Sequence, residues 1–288
     1  MTLAGRAAII TGASLGLGAE IAAQFAAAGA AMMLCARNAA DLETQRKRLT
    51  AAYPHARIFT HRADISDAGQ VDALFDATKG ALGKLDVVVN NAGVYGPMGS
   101  IDVIDWDDWV QAIAINLMGT VYCSRKAVEA FKPNRYGKII NLSGGGATNP
   151  LPGISAYAAS KAAVVRFTET LALEVKEFGI DVNAVAPGAL ATRLTDQLVA
   201  AGPDRVGAAL HERMIKLQKE GGTPLNVGAA LCVYLASGES DGLTGRLIAA
   251  QWDPWPFAGA IKSKIDASDI YTLRRIVPAD RGESWDKT

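Results

Sequence analysis

The chain has 288 residues, 50% of them hydrophobic, and its 29 basic side chains balance 29 acidic ones. This neutrality argues against a nucleic-acid surface or an anionic membrane as a partner. The cysteines stand apart in apolar stretches, without metal-ligand spacing or a Cys-x-x-Cys pair, so we predict no metal site and reduced core residues at Cys35, Cys123 and Cys232. Because a strand begins almost at the N-terminus and no membrane span is evident, we expect a cytoplasmic protein without a signal peptide.

Short aliphatic runs alternate with longer helical patterns along the chain. In chain order, strands are predicted at residues 7–10, 31–36, 57–59, 85–89, 138–142, 180–185 and 246–250. Helices are predicted between them, the first from about Leu15 to Ala28, and glycines stand just before several strands, where helices usually stop. This repeated alternation predicts an α/β fold in which helices cover both sides of a parallel sheet.

We predict one domain over residues 1–251 and a C-terminal extension over residues 252–288. Within the domain, residues 189–222 interrupt the alternation with mixed apolar and basic helical patterns. The extension begins Trp-Asp-Pro-Trp-Pro-Phe, whose two prolines exclude a regular helix. It could cover a site, pack at a subunit interface or lie on the surface. Because Trp252 and Trp255 are costly to expose together, the first two roles are favoured.

The turn after the first strand is rich in glycine and is followed by a helix. It reads Thr11-Gly12-Ala13-Ser14-Leu15-Gly16-Leu17-Gly18. Glycines in such a turn let the backbone approach a pyrophosphate, which binds at the positive end of the helix. The turn therefore predicts a dinucleotide site, and the alternative is an ordinary glycine-rich connection.

The residues after the second strand bear on the choice of cofactor. Folds that prefer NAD place an acid there to bind the ribose, whereas this chain has Ala36 followed by Arg37. A guanidinium can pair with a 2′-phosphate, so we predict NADP(H) as the preferred cofactor, with NAD(H) possible. The alternative is that Arg37 is a solvated surface charge. Asp64 could accept a hydrogen bond from adenine or cap the next helix, for which Ser66 or Asp67 is better suited.

Tyr157 and Lys161 stand four residues apart in a helical pattern, so both heads can reach one point. A nearby positive charge favours the phenolate, which predicts a Tyr157 pKa below its ordinary value of about 10. A tyrosine tuned in this way can exchange a proton with a carbonyl or alcohol oxygen near neutral pH. The alternative is a pair of side chains on a solvated helix face.

These motifs, taken in order, resemble those of the short-chain dehydrogenases/reductases over residues 6–250. The resemblance rests on the glycine turn, Asn90-Asn91-Ala92-Gly93, Asn116, Ser143, the Tyr157/Lys161 pair, and Pro187-Gly188 with Thr192. It implies a single doubly wound Rossmann domain with a seven-stranded parallel sheet. It also implies NAD(P)-linked hydride transfer between a small-molecule carbonyl and an alcohol, and assembly as a homodimer or homotetramer.

The resemblance assigns roles to individual residues. Tyr157 would exchange the proton, Lys161 would hold the nicotinamide ribose and lower the Tyr157 pKa, and Ser143 would steady the substrate oxygen. Asn116 would hold a water, and Asn90 would support the sheet next to the cofactor. The implied cofactor-binding residues are Thr11, Gly12, Ser14, Leu15, Gly16, Leu17, Gly18, Arg37, Asn38, Asp64, Ile65, Asn91, Ala92, Gly93, Tyr157, Lys161, Pro187, Gly188 and Thr192.

The chain departs from the family pattern at its serine. Many members place the active serine thirteen residues before the tyrosine, where this chain has Gly144. Either Ser143 reaches the substrate oxygen through a shift of the glycine-rich backbone, or it is structural. In the second case the oxygen would be held by Tyr157 alone or by Ser155.

Other functions are compatible with the motifs. An epimerase or dehydratase would use the nucleotide without net redox, although such relatives usually have a tighter glycine pattern. A non-catalytic NADP-binding sensor or scaffold would be expected to lack one of the catalytic side chains. The segment after Thr192 predicts a pair of amphipathic helices, which would either form a lid over an apolar substrate or pack on the core. Its basic residues, His211, Arg213 and Lys216, would bind an anionic group or form a solvated face.

Overall fold

The computed structural model describes residues 1–257 and 259–285, and the described chain forms a seven-stranded sheet. Its strands are β1 (Ala7–Thr11), β2 (Ala31–Ala36), β3 (Ile58–Arg62), β4 (Val87–Asn90), β5 (Gly137–Leu142), β6 (Ile180–Ala186) and β7 (Leu247–Ala249). All neighbours pair in parallel, in the order β3-β2-β1-β4-β5-β6-β7. The order reverses between β1 and β4, so the sheet is doubly wound, and the predicted α/β Rossmann fold is confirmed.

The helices lie between the strands as the alternation predicts. They are α1 (Gly16–Ala27), α2 (Ala39–Ala52), α3 (Ala68–Leu82), α4 (Trp106–Ile113), α5 (Gly119–Phe131), α6 (Ser155–Val175), α7 (Arg193–Ala201), α8 (Pro203–Val206), α9 (Ala208–Glu220), α10 (Leu225–Ala236) and α11 (Gly259–Asp266). A π-helical segment, Ala114–Met118, joins α4 to α5. Short 3₁₀ turns follow α5, β5, α6 and α10.

The core lies on both faces of the sheet. Ile9 and Ile10 are neighbours on β1 and both are fully buried, yet they belong to different apolar clusters. Successive side chains of a strand point to opposite faces, so a strand with helices on both sides buries the side chains of both faces. One cluster includes α1 and α10, and the other includes α3, α5 and α6. The three cysteines are free and buried in this core, as predicted.

Several strand boundaries differ from the prediction by one to three residues, and β3 and β7 are examples. β3 extends through Thr60, His61 and Arg62, whereas only residues 57–59 were expected. Because β3 is at the edge of the sheet and pairs with β2 alone, its polar side chains keep access to solvent. β7 spans three residues because the chain turns away after Ala249.

The segment over residues 189–222 contains three helices, where the sequence predicted two. Gly202 and Gly207 adopt φ angles of 79° and 80°, which a continuing right-handed helix cannot contain. Pro203 then begins α8, a position at which its missing N–H costs nothing. The extra break follows from these three residues.

The described part of the C-terminal extension packs partly against the domain of its own chain, and its interface or lid role stays a prediction. Trp255 stacks on Tyr234 with ring centroids 6.1 Å apart, and its Nε1 donates a hydrogen bond to the Ala250 carbonyl at 2.8 Å. Phe257 is 3% exposed within the core, whereas Trp252 is 76% exposed. The predicted boundary at residue 251 stays a prediction, and residues 258 and 286–288 of the predicted extension lie outside the described residues.

Within the described part of the chain, no helix has the length and apolar character needed to cross a membrane. The same residues contain no group of three or more His, Cys, Asp or Glu side chains arranged to hold a metal ion.

Candidate active site

The glycine turn packs tightly against the loop after β4. A Cβ at Gly12 would lie 2.8 Å from the Ala92 Cα, and a Cβ at Gly18 would collide with the Gly12 carbonyl oxygen. Gly12 and Gly16 have φ angles of 62° and 56°, in the left-handed region that favours glycine. The glycines therefore serve both close packing and backbone conformation.

The amino end of α1 has the features of an anion site. Its N-cap residue, Leu15, is extended and makes no side-chain capping hydrogen bond, and the first turn holds no acidic residue. The first N–H groups of a helix lack intrahelical partners and, with the helix dipole, favour negative charge. This end of α1 thus fits the pyrophosphate of a dinucleotide.

Hydrogen bonds join the two loops that follow β1 and β4. The Thr11 hydroxyl accepts from the backbone N–H groups of Asn91 and Ala92 at 3.0 and 3.1 Å. The Asn91 amide donates to the carbonyls of Thr11 and Gly12 at 2.9 and 3.1 Å. Asn90 is buried and donates to Asn141 Oδ1 at 2.9 Å, which links β4 to β5. The side chain of Asn91 therefore braces the glycine turn.

α6 carries Tyr157 and Lys161 in its first two turns. Lys161 is 5% exposed, and its ammonium donates to the Leu142 carbonyl at 2.8 Å. Its Nζ lies 5.7 Å from the Tyr157 ring centroid. The helix thus brings the two side chains together at the carboxyl end of β5, as the four-residue spacing predicted.

Asn116 lies in the π-helical segment and is fully buried. Its amide nitrogen donates to the Val94 carbonyl at 2.8 Å and to Ser160 Oγ at 3.0 Å, and its oxygen accepts from the Val94 N–H. A Cβ at Gly93 would lie 3.2 Å from Asn116 Oδ1 and 3.5 Å from Lys161 Nζ, so these three residues meet. π-Helical turns often occur at functional sites. Here the side chain joins the loop after β4 to α6.

Gly144 lies directly against the Tyr157 hydroxyl. A Cβ at this position would collide with Tyr157 Oη, although the φ of Gly144 is extended and suits any residue. Glycine is therefore needed for close approach and not for backbone conformation. With no side chain at Gly144, the phenol rests against the backbone at the place where family members have a serine.

Ser143 and Ser155 were the alternatives for holding the substrate oxygen. Ser143 is 4% exposed, and its hydroxyl has no hydrogen-bond partner among the described residues. Ser155 Oγ accepts a hydrogen bond from Trp109 Nε1 at 3.1 Å. An unsatisfied buried hydroxyl is uncommon in proteins, which makes Ser143 the better candidate of the two.

Burial governs the electrostatics of the pair. It lowers the Lys161 pKa from its usual 10.5 to about 8. It raises the Tyr157 pKa above its ordinary value, and the neighbouring Tyr95 adds to this effect. The prediction that Lys161 lowers the Tyr157 pKa is therefore wrong for the protein's own side chains. Removal of the phenol from water disfavours the phenolate, and this is the dominant effect on its pKa.

The loop after β2 brings together the side chains predicted to bind adenosine. Arg37 is 59% exposed, with its Nη1 3.9 Å from Asp64 Oδ2. Asn38 caps α2 by accepting from the N–H groups of Ala40 and Asp41. Arg62, which the sequence reasoning missed, donates from Nε to the Arg37 carbonyl at 3.0 Å. The feature of the sequence that could have indicated Arg62 is its position at the end of the third strand, where it pairs with Ala36 on β2.

Asp64 and Asp67 were both candidates for the cap of the helix that follows β3. Asp67 caps α3, accepting from the Gln70 N–H at 3.1 Å. Asp64 instead accepts from the N–H and hydroxyl of Ser66 at 3.0 and 2.7 Å. Ile65 is buried in the core. Asp67 is thus the cap, and Asp64 lies two residues beyond the end of β3.

The loop after β6 reaches back to the glycine turn. Thr192 is the N-cap of α7, and its Cγ2 would lie 3.8 Å from a Cβ at Gly16. Gly188 has a φ of 97° and packs against the Thr223 side chain. A Cβ at Gly228 would lie 3.0 Å from Pro187 Cβ. The structure therefore places the start of the segment over residues 189–222 beside the turn after β1.

An apolar cluster connects the segment over residues 189–222 to Tyr157. It comprises Ile154, Leu198, Val206 and Met214, with Tyr95, Met98, Leu151, Tyr157, Val199, Ala201, Leu210 and Leu217 packed against them. The ring of Tyr95, which the sequence reasoning did not single out, meets Tyr157 edge-on with centroids 4.7 Å apart. His211 contacts the Val199 carbonyl at 3.1 Å, and Lys216 pairs with Glu220. The apolar side chains of the segment therefore face Tyr157.

The fold and this site define a dinucleotide-binding α/β protein with a tyrosine and a lysine at the carboxyl edge of the sheet. The family model for short chain dehydrogenase matches residues 6–202. A 3beta-hydroxysteroid dehydrogenase of Eggerthella lenta is 38% identical over 248 residues, covering 85% of this chain and 92% of that protein. An L-fucose dehydrogenase of Oryctolagus cuniculus is 34% identical and covers 81% of this chain and 80% of that protein.

Solved structures of a reductase and a dehydrogenase have a similar fold. The crystal structure of levodione reductase has a TM-score of 0.79 at 27% identity and covers 85% of this chain and 96% of that one. An NAD+-bound xylitol dehydrogenase has a TM-score of 0.78 at 24% identity and supports the fold alone. The chain belongs to the short-chain dehydrogenase family. As in its relatives, its activity is the interconversion of carbonyl and alcohol groups.

Proposed function

We propose that this protein is an NADP(H)-preferring oxidoreductase in which Tyr157 is the general acid and base. The observation that carries the proposal is the meeting of three groups at the carboxyl edge of the sheet. The Tyr157 hydroxyl rests against Gly144, buried Lys161 lies beside its ring, and Asn116 joins the same loops. The glycine turn and the uncapped end of α1 face this edge and fit a dinucleotide.

The proposed roles follow from what each side chain can do. When bound, the nicotinamide cofactor supplies or accepts the hydride. Tyr157 donates its phenolic proton to the carbonyl oxygen in reduction and takes the proton back in oxidation. Its raised pKa keeps the phenol protonated at neutral pH, which suits the acid role. Lys161 supplies positive charge below its pKa of about 8. The apolar lid cluster excludes water from the phenol.

The proposed preference for NADP(H) rests on Arg37, supported by Arg62. Both guanidiniums lie at the end of the β2–β3 pair, and the Arg62 contact holds the Arg37 backbone. Asp64, at 3.9 Å from Arg37, opposes an incoming phosphate but also orients the guanidinium. Two cations against one carboxylate leave a net positive site.

Homodimers or homotetramers belong to the same proposal. Large apolar side chains are exposed on α4, the π-helical segment and α6, namely Trp106, Met118 and Leu173. Exposed apolar groups of this size are typical of surfaces that pack between subunits. Sedimentation of the purified protein would give the assembly state.

The sequence also left two other functions open, and the family match argues against both. Gly144 in the place of the family serine is the observation that favours a non-catalytic NADP-binding sensor or scaffold. A non-redox epimerase or dehydratase would share the nucleotide site. Assembly of Asn116, Tyr157 and Lys161 in one place argues for catalysis over a sensor.

The pH dependence of carbonyl reduction is expected to follow Lys161. Reduction should slow as the pH rises through about 8, because the ammonium loses its proton there, while Tyr157 keeps its own. Alcohol oxidation should instead speed up with pH, because Tyr157 must first give up its proton. The measurement is kcat/KM in each direction across neutral and alkaline pH. A reduction rate that rises through the Lys161 pKa would contradict this assignment.

The deciding experiment is a spectrophotometric screen. NADPH loss would be followed with ketones and aldehydes, and NADP+ reduction with alcohols, with NADH and NAD+ in parallel. Hydroxysteroids and sugars belong in the panel because relatives of this chain are named for them. Turnover with NADPH supports the proposal. Tight NADPH binding without turnover on a broad panel favours the sensor.

A further inference from the structure

The tail segment Ser268–Leu273 lies along the outer edge of the sheet. β7 is the edge strand, and the Leu247 N–H donates to the Tyr271 carbonyl at 2.8 Å. Arg246, just before β7, donates from Nη1 to the carbonyls of Ser268 and Ile270, each at 2.9 Å. The tail backbone thus accepts from the Leu247 N–H, which an edge strand would otherwise leave unpaired, and from the Arg246 guanidinium.

The helix that carries Tyr157 and Lys161 holds the other end of this segment. The Leu273 N–H donates to Glu169 Oε1 at 2.6 Å, and Arg166 donates to the Leu273 carbonyl. Arg166 and Glu169 form an ion pair with each other at 2.5 Å. Both residues are on α6, so two side chains of this helix form hydrogen bonds with the N–H and the carbonyl of Leu273.

The Leu273 side chain is part of an apolar contact region that also includes a residue of the loop next to Tyr157. It packs, together with Leu247, against a cluster of Ala147, Val165 and Ala184. Ala147 ends the 3₁₀ turn that begins at Gly145, immediately after Gly144. Val165 is one helical turn beyond Lys161 on α6. Leu273 therefore contacts a cluster shared by the glycine loop and the catalytic helix.

The glycine loop is held by its backbone, which packs closely on α6, where a Cβ at Gly146 would lie 2.8 Å from the Ala158 Cα. Residues 144–146 are all glycine, so no side chain anchors them. Backbone hydrogen bonds within the loop join Ala147 to Gly144 at 3.0 Å and Asn149 to Gly145 at 3.2 Å. Buried Ala147 is the first residue whose side chain packs into the interior. Because Gly144 rests against the Tyr157 hydroxyl, any shift of this loop changes the place of that hydroxyl.

We propose that Leu273 is a positioning residue for catalysis, bracing the glycine loop against α6. This inference rests on the proposed function and adds a role for the tail in it. The brace keeps the Gly144 backbone at a fixed distance from the helix that carries Tyr157. Its contribution is geometric, because Leu273 acts through the cluster of Ala147, Val165 and Ala184 and not through the reacting groups.

The test compares Leu273→Ala with two controls. Ile270→Ala changes the same tail segment at a side chain that is 47% exposed, and Leu49→Ala removes core packing on α2, in the cluster on the other face. We expect Leu273→Ala to lower kcat by about tenfold, the order of loss that small misplacements cause. NADPH affinity should be unchanged, both controls should keep the wild-type kcat, and Leu273→Met should restore turnover.

Hydrogen exchange gives a readout that does not depend on turnover. Peptides covering residues 143–149 should exchange faster in Leu273→Ala than in the wild type or in Ile270→Ala. If exchange in this loop is unchanged, or if Leu49→Ala loses as much kcat as Leu273→Ala, the brace is refuted. If the wild type turns over no substrate, the proposed function fails, and the exchange of the loop still decides the brace.

Discussion

Replacing Tyr157 with phenylalanine is expected to lower turnover by roughly 10²–10⁴-fold while NADPH binds as before. The change removes only the hydroxyl that rests against Gly144, and the ring keeps its edge-on contact with Tyr95. The reaction then lacks its proton donor, whereas the glycine turn and the end of α1 are untouched. Turnover would be measured on the best substrate of the screen, and the NADPH Kd by fluorescence titration.

Tyr95→Phe is the matched control for this experiment. It removes a phenolic hydroxyl from the neighbouring ring in the same apolar cluster. We expect at most a small loss of turnover, because the proposed proton transfer uses the Tyr157 hydroxyl and not that of Tyr95. If Tyr157→Phe instead abolished NADPH binding, Tyr157 would have a structural role. If Tyr157→Phe kept full turnover, another group would be the acid.

Arg37→Ala is expected to weaken NADPH binding by about 10- to 100-fold, the effect of losing a hydrogen-bonded charge pair. NADH binding should change little, because NADH lacks the 2′-phosphate that the guanidinium would contact. The ratio of the two Kd values, measured by titration at fixed ionic strength, isolates this contribution. Salt should weaken NADPH binding more in the wild type than in the variant.

Arg48→Ala controls for the loss of one positive charge. Arg48 is an exposed residue of α2, outside the loop that follows β2. The Arg48→Ala change should leave the ratio of the NADPH and NADH Kd values as it is in the wild type. Equal weakening of NADPH and NADH in Arg37→Ala would show that Arg37 supports the loop and does not select the cofactor.

The local pattern of the sequence was enough to predict the sheet and the motifs along its edge. Buried parallel strands require continuous apolar runs, and a strand-to-helix turn that binds phosphate requires glycine, so both are visible without tertiary contacts. The four-residue spacing likewise brought Lys161 to the Tyr157 ring, because a helix sets that geometry by itself. The parallel order then placed the separate motifs at one edge.

Other features depended on contacts between residues distant in sequence, which no local pattern encodes. The Tyr157 pKa rises because the folded chain removes the phenol from water, an effect that the neighbouring Lys161 alone would not predict. Gly144 is required by a side chain thirteen residues away, and Arg62 meets Arg37 only because β3 pairs with β2. The tail follows the sheet edge and α6 because it pairs with the Leu247 N–H and with Glu169, and because Leu273 packs on the cluster of Ala147, Val165 and Ala184. Only the tertiary structure decides which such surfaces meet.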